Sequence, residues 1–175
     1  MSTVFAGVRK GDVALAAALT ALGVWMMVGN VLSTDGSVRI DSQSWLAVPV
    51  FAVATVPVLW RRRHLTGVLA VTLVALGAHV LAFGWMVRCG AGLPLAFALA
   101  YAAGRLSTRG RSVAGLVATL GVQALVLVED SAAGLGVLPV TAVVGAACWG
   151  AGVWLRRRST APLAAPERAT VESYS

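Results

Sequence analysis

Long apolar runs without any charged residue are the feature that most restricts what this chain can fold into. A helix needs about 20 residues, at 1.5 Å each, to cross the roughly 30 Å hydrocarbon core of a bilayer. The sequence therefore predicts an all-α fold: a polytopic membrane helix bundle of six transmembrane helices in three hairpins. The six uncharged apolar runs lie at residues 13–32, 45–60, 65–86, 91–104, 113–128 and 136–155.

The composition argues against the common soluble classes. Hydrophobic residues make up 58% of the 175 residues, charged residues only 12%, and the mean hydropathy is +0.83. Soluble domains carry about 25% charged residues, and a soluble fold of this composition would expose large apolar patches. A soluble enzyme or a disordered chain is therefore a poor interpretation. Nucleic acid is not expected as a partner, because no basic face with interleaved aromatic residues lies outside the apolar runs.

The distribution of Lys and Arg predicts the topology. With six spans and a cytoplasmic N-terminus, the cytoplasmic segments hold 12 of the 14 basic residues, and only Arg39 and Arg88 lie outside. Because Lys and Arg resist translocation, this asymmetry predicts a multi-pass plasma-membrane protein with both termini in the cytoplasm. It also supports the short run 91–104 as a span, since without it the later basic segments would lie outside. The residues expected to anchor the cytoplasmic face are Arg61, Arg62, Arg63, Arg105, Arg109, Arg111, Arg156, Arg157 and Arg158.

The chain is expected to have one folded part. Residues 1–158 form the predicted membrane domain, and the polar, proline-containing residues 159–175 are expected to be a disordered cytoplasmic tail. Within the second run, Pro57 is expected to kink the inner end of the helix. Small residues that allow close helix contact form predicted stripes at Ala96, Ala100 and Gly104 and at Ala146 and Gly150.

Polar residues inside the apolar runs are the functional candidates, because burying a polar group without a partner is costly. His79 and Gln123 each lie about 9–10 Å below the outer end of their run, so they share a depth. One hypothesis is an outward-facing polar pocket formed by His79, Gln123, Asn30 and Thr119. Its expected outer rim is formed by Arg88, Glu129, Asp130 and Trp85. The alternative is that these polar groups only make hydrogen bonds between helices.

No catalytic motif, metal site or cofactor site is predicted. Residues 110–114 are one residue short of a nucleophile elbow and lie in a basic loop, outside the strand–turn–helix context that such an elbow needs. Complete phosphate-binding and metalloprotease motifs are absent from the sequence, and two isolated cysteines, Cys89 and Cys148, define neither a metal nor a redox site. The middle of the spans also lacks a carboxylate, which argues against an ion-coupled transporter.

Short motifs beside the basic segments resemble those of a known family. They are P-V-L-W-R-R-R-H at residues 57–64, Y-A-A-G-R at residues 101–105, and Asp12 before the first span. On these residues, region 9–158 resembles the N-terminal membrane module of actinobacterial sensor histidine kinases, of the class that pairs with helix-turn-helix response regulators. It departs from that family at Leu65, where a proline usually follows the basic run. The kinase half is not expected here, because too few residues follow Arg158.

The resemblance implies a non-enzymatic sensory or accessory membrane module that acts through a partner protein. The alternative is a small transporter or permease component. The expected partners are the lipid bilayer and a cytoplasmic or membrane protein, and a second copy of the chain stays open as a third. The stimulus is not specified by any residue pattern.

Overall fold

The computed structural model describes residues 7–34 and 36–160, and within them the chain is helical, without a strand. The helices are α1 Lys10–Leu32, α2 Ala47–Thr55, α3 Leu65–Phe83, α4 Cys89–Leu106, α5 Arg109–Leu127 and α6 Leu138–Thr160. Two short 3-10 helices, Val56–Trp60 and Leu135–Val137, extend the end of α2 and the beginning of α6. Every predicted span thus corresponds to a helix.

Five of the described helices are long and apolar enough to cross a membrane, so the chain is a multi-pass membrane protein by length and composition. The exception is Ala47–Trp60, which is apolar but only 14 residues long. Regular α-helix ends at Thr55, and the chain tightens to 3-10 geometry around Pro57, because proline lacks the N–H of the next helical bond. The kink expected at Pro57 stays a prediction. The shortest predicted span, 91–104, gains two residues at each end and becomes the 18-residue α4.

Helix α4 lies at the centre of the bundle. It packs against α6, α5 and α1, while α2 lies between α1 and α3, and α3 also contacts α5. Its small residues face inward, with Ala96 and Ala100 fully buried. Helix α6 lies at the periphery, and large apolar side chains such as Val140 and Val143 are exposed on it.

The closest helix contact is the crossing of α4 and α6 near one end of the bundle. A Cβ atom on Gly104 would overlap the carbonyl oxygen of Trp149, and one on Gly152 would overlap that of Tyr101. The prediction of Gly104 as a packing residue is therefore confirmed. The stripe predicted at Ala146 and Gly150 makes no close helix contact at Gly150 within this chain, because a Cβ there would have no neighbour within 4 Å, and Gly152 faces α4 instead. Packing of that stripe against a second copy of the chain stays a prediction.

The two ends of the bundle differ in chemistry. The first, which we call the basic end, contains the segments 61–63, 105–111 and 156–158. The second, which we call the Arg88 end, contains the C-terminal ends of α1, α3 and α5 and the beginning of α4. Of the predicted tail, Ser159 and Thr160 continue α6, and residues 161–175 lie outside the described residues.

Candidate functional site: a buried polar cluster at the Arg88 end

A sharp connection between α3 and α4 brings polar groups into the bundle. Helix α3 ends at Phe83, and the φ of the next residue, Gly84, is 61°, in the left-handed region that favours glycine. A Cβ atom there would also lie 2.7 Å from the Asp41 carboxylate. Both the backbone conformation and the lack of space therefore disfavour any residue other than glycine at this position. The connection then runs beside the end of α5, where the Met86 N–H donates to the Glu129 carbonyl and the Ser131 N–H donates to the Met86 carbonyl, each at 3.2 Å.

Arg88 is the centre of the cluster, and its side chain has no solvent exposure. Its Nε–H donates to Nδ1 of His79 at 3.1 Å, and an Nη1–H donates to the Glu129 carbonyl at 3.1 Å. An Nη2–H donates to the Gly84 carbonyl. Burial lowers the pKa of Arg88, and the nearby Asp130 and Glu129 carboxylates oppose that shift. The guanidinium remains charged, since arginine is not deprotonated in proteins.

The sequence places Arg88 at an exposed rim, whereas the structure has it buried beneath the connection. The physical reason is local: Asp130 binds the backbone of Arg88, and the reversed chain at Gly84 leaves its carbonyl oxygen facing the guanidinium. Hydropathy alone could not predict this arrangement, because it depends on which neutral acceptors the fold supplies.

His79 lies on α3 and is fully buried, and its ring belongs to a small cluster of aromatic side chains. Its ring contacts Phe51 edge-on at 5.6 Å between centroids and Phe83 at 4.8 Å. Because Nδ1 accepts a hydrogen bond from Arg88, it carries no proton, and the neutral ring carries its proton on Nε2. Nε2 has no hydrogen-bond partner among the described residues.

Asp130 holds the beginning of α4 from another part of the chain. Its Oδ2 accepts the backbone N–H groups of Arg88 and Cys89, at 2.6 and 2.7 Å. Its Oδ1 accepts those of Ala132 and Ala133, at 3.0 and 2.9 Å. These four bonds satisfy both carboxylate oxygens, and a negative charge at a helix N-terminus is favoured by the helix dipole.

Asn30 ties α1 to the same connection. Its side-chain Nδ2–H donates to the Val87 carbonyl at 2.8 Å, and its Oδ1 accepts the Val87 N–H at 3.2 Å. Asn30 is 4% exposed, so both bonds form away from water. We call Asn30, His79, Arg88 and Asp130 the Arg88 cluster; it joins α1, α3, α4 and the segment after α5.

Two of the predicted pocket residues lie apart from this cluster. Gln123 is fully buried on α5 and packs against Gly145 of α6, where a Cβ atom would lie 2.5 Å from its Nε2. Neither Nε2 nor Oε1 of Gln123 has a hydrogen-bond partner among the described residues. Thr119 donates its hydroxyl to the Leu116 carbonyl within the same helix, at 2.7 Å. Residues 7–34 and 36–160 thus contain no hydrogen bond that links Gln123 or Thr119 to His79.

The loop before α2 covers the Arg88 end, and the sequence did not point to its polar residues as a group. Arg39 forms an ion pair with Asp41 at 2.8 Å and lies over the Trp85 ring, 5.1 Å from its centroid. Asp41 also accepts the Trp85 N–H at 3.2 Å. The hydrogen bonds from Arg39 and Trp85 hold the pKa of the Asp41 carboxyl below its usual value.

At the basic end, part of the positive charge is paired. The Asp12 carboxylate is buried and accepts bonds from Arg61 and Arg62, at 2.8 and 2.7 Å. Arg156 donates to the Ser107 carbonyl, and Arg158 stacks on Trp154, 3.7 Å from the ring centroid. The sequence analysis named Asp12 only as part of the family resemblance and did not predict its ion pairs. The one sequence signal for them was an isolated acidic residue in a chain whose cytoplasmic segments are rich in arginine.

Both cysteines are free thiols, and within the described ranges no three His, Cys, Asp or Glu side chains come together as a metal site would require. No family model, curated protein or solved structure matches the chain.

Proposed function

We propose that this chain is a six-span plasma-membrane protein with both termini in the cytoplasm, and that it acts as a non-enzymatic sensory or accessory module through a partner protein. Five long apolar helices and the shorter Ala47–Trp60 segment support six crossings. The placement of the basic segments at one end of the bundle supports that end as the cytoplasmic one, because Lys and Arg resist translocation. The resemblance to the membrane module of sensor histidine kinases supports the sensory role.

The observation that carries the proposal is the buried cation at Arg88. Its guanidinium is bound by His79 and by backbone carbonyls, and among the residues that the structure describes no carboxylate forms an ion pair with it. Breaking the hydrogen bonds from Arg88 to these acceptors would leave the charge without a partner in a medium of low polarity, which is costly. The cluster therefore favours discrete arrangements over gradual deformation, which is the property that a switching element needs.

Helix α4 provides the route from this cluster to the basic end. It begins at Cys89, whose backbone is bound by Asp130, and its last turns pack on α6 through Gly104. A ligand or a change in the loops at the Arg88 end would move the first turn of α4, and the contact with α6 would carry that displacement to the other side of the membrane. A partner at the basic end would then respond.

The test is affinity purification of the tagged full chain from its native membrane in mild detergent, followed by mass spectrometry. We expect a stoichiometric kinase, regulator or transporter subunit, and Arg88→Gln to change its amount or activity. Arg39→Gln is the matched control, since Arg39 is an exposed arginine at the same end of the bundle. A homo-oligomer without a partner, in wild type and both variants, would overturn the sensory proposal.

A transporter component is the second candidate, and the unpartnered Gln123 side chain favours it. A buried amide beside Gly145 with neither polar atom bonded is what a transported polar solute would meet between α5 and α6. Flux into proteoliposomes that disappears in Gln123→Leu would support this function. Equal flux in protein-free liposomes would exclude it.

A further inference from the structure

A cavity at the basic end lies between two helix beginnings. It has a volume of about 490 Å³ and is bounded by the turn that precedes α3 and the turn that precedes α5. Arg61, Arg62, Arg63 and Arg111 line it, and none of its lining residues within the described ranges 7–34 and 36–160 is acidic. The local charge is therefore strongly positive, even though Asp12 neutralises part of it through Arg61 and Arg62.

The two helices add backbone donors to this charge. Neither α3 nor α5 has a side chain that caps its N-terminus, and neither has an acidic residue in its first turn. The first backbone N–H groups of a helix have no acceptor within the helix, and the helix dipole makes this end positive. Leu65, Thr66 and Gly67 of α3 border the cavity, as does Arg111 of α5. Arginines and helix N-termini together form the surroundings that a phosphate group prefers.

An apolar groove continues from this cavity along the outside of the bundle. It has a volume of about 340 Å³, lies between α3 and α5, and shares Leu65, Thr66, Ser107 and Arg111 with the basic cavity. Its walls are otherwise apolar and include Leu69, Leu73, Ala114 and Ala118. From Leu65 to Leu73 it extends about 12 Å at 1.5 Å per residue, most of the roughly 15 Å depth of one leaflet.

We propose that the cavity and the groove form one binding site for an anionic glycerophospholipid, with the phosphate in the basic cavity and an acyl chain in the α3–α5 groove. A soluble phosphate would use only the cavity, and a neutral detergent would use only the groove. The continuity of a basic cavity with an apolar groove fits an amphipathic ligand. Basic cavities between transmembrane helices bind anionic headgroups in this way. The site does not depend on the sensory role.

The experiment uses the purified full chain in a neutral detergent and measures lipid binding by native mass spectrometry. The probes are dioleoyl phosphatidylglycerol and dioleoyl phosphatidylcholine, which share acyl chains and differ in charge, with inorganic phosphate as a competitor. We expect tighter binding of phosphatidylglycerol, and only partial displacement by inorganic phosphate, because phosphate competes for the cavity but not for the groove. Equal binding of both lipids, or full displacement by inorganic phosphate, would overturn the proposal.

Matched variants separate the headgroup from the chain. Arg111→Gln should weaken phosphatidylglycerol binding about fivefold, the usual effect of one basic residue near an anionic lipid surface. Arg109→Gln removes the same charge two residues away, outside the cavity lining, and should change binding less than twofold. Arg111→Lys should restore most of the binding, and it guards against misfolding as the cause of the loss.

The groove has its own pair of variants. Ala114 is exposed and lines the groove, so Ala114→Phe should fill the groove and weaken phosphatidylglycerol binding at least fivefold. Val117→Phe adds the same ring at a position that is 63% exposed and outside the groove, and should leave binding unchanged. Loss in Arg111→Gln without loss in Ala114→Phe would mean an anion site alone, and would refute the lipid proposal.

Discussion

Replacing Asp130 by Asn isolates the link between α4 and the segment after α5. The carboxylate accepts four backbone N–H groups, two on each oxygen, and the residue is only 2% exposed. An asparagine keeps one acceptor oxygen, while its NH₂ group cannot accept, so two of the four N–H groups lose their partner. Two lost hydrogen bonds to a charged acceptor, at about 1.5–3 kcal/mol each, give a destabilisation of about 3–6 kcal/mol.

The thiol of Cys89 provides the assay, because it lies in the first turn of α4 beside the lost bonds. We propose maleimide labelling in a Cys148→Ser background, so that only Cys89 reacts. The Cys89 thiol is half-buried, so part of the labelling occurs without opening and part requires local opening of the first turn of α4. A cost of about 3 kcal/mol or more should make the opening-dependent part at least about 100-fold faster in Asp130→Asn. Glu129→Gln is the matched control: it removes a neighbouring negative charge and leaves all four backbone bonds in place.

A rise of less than tenfold in Asp130→Asn would refute the reasoning, because the four bonds would then contribute little to holding α4. An equal rise in Glu129→Gln would also refute it, since loss of charge, rather than loss of acceptors, would be the cause.

Three further predictions concern other contacts. Gly152→Ala should lower the melting temperature in detergent by several degrees, because the added Cβ would overlap the α4 backbone and overpacking costs about 1–3 kcal/mol. Gly150→Ala is the control and should leave the melting temperature unchanged, because the space around Gly150 is open. Equal effects of the two substitutions would contradict the α4–α6 crossing. Asp12→Asn should lower the free energy of unfolding by about 1–3 kcal/mol, because it leaves Arg61 and Arg62 without their carboxylate. Urea unfolding measures this free energy, and an unchanged urea midpoint would count against a contribution from the ion pairs. The pKa of Asp41 is lowered chiefly by the hydrogen bond from Arg39, so the stabilisation that the ionised carboxylate gives is present above the usual carboxyl pKa and is lost as the pH falls through the lowered value. Wild type should therefore lose more thermal stability on acidification than Asp41→Asn. Parallel losses in the two proteins would exclude a stabilising role of the Asp41 carboxylate.

The apolar runs and the charge pattern predicted most of the helices, because the bilayer imposes a length that hydropathy reveals directly. The bounds differ most at the beginning of α5 and the end of α6, where charged residues such as Arg109 and Arg156 join the helix without adding to an apolar run. The crossing direction of the spans and the position of the termini stay predictions.

The inward faces were harder to predict. Helices that are apolar all round give no amphipathic stripe, so the sequence does not determine which side packs inward. For this reason the sequence indicated Gly150 as the packing glycine of α6, whereas within this chain Gly152 is the one that faces α4. The sequence identified Asn30, His79, Arg88 and Asp130 as individual polar residues, but it could not show their hydrogen bonds, which depend on backbone groups brought together by the fold.

The Arg88 cluster also fixes an order of assembly during synthesis. Arg88 binds the Glu129 carbonyl 41 residues later in the chain, and Asp130, 42 residues later, caps the same helix. When the ribosome has completed α3 and α4, the Glu129 carbonyl and the Asp130 carboxylate have not yet been synthesised. The hairpin of α3 and α4 therefore first forms with the Arg88 guanidinium and the N-terminus of α4 lacking these acceptors. The cluster is therefore complete only after the segment that follows α5 has been synthesised.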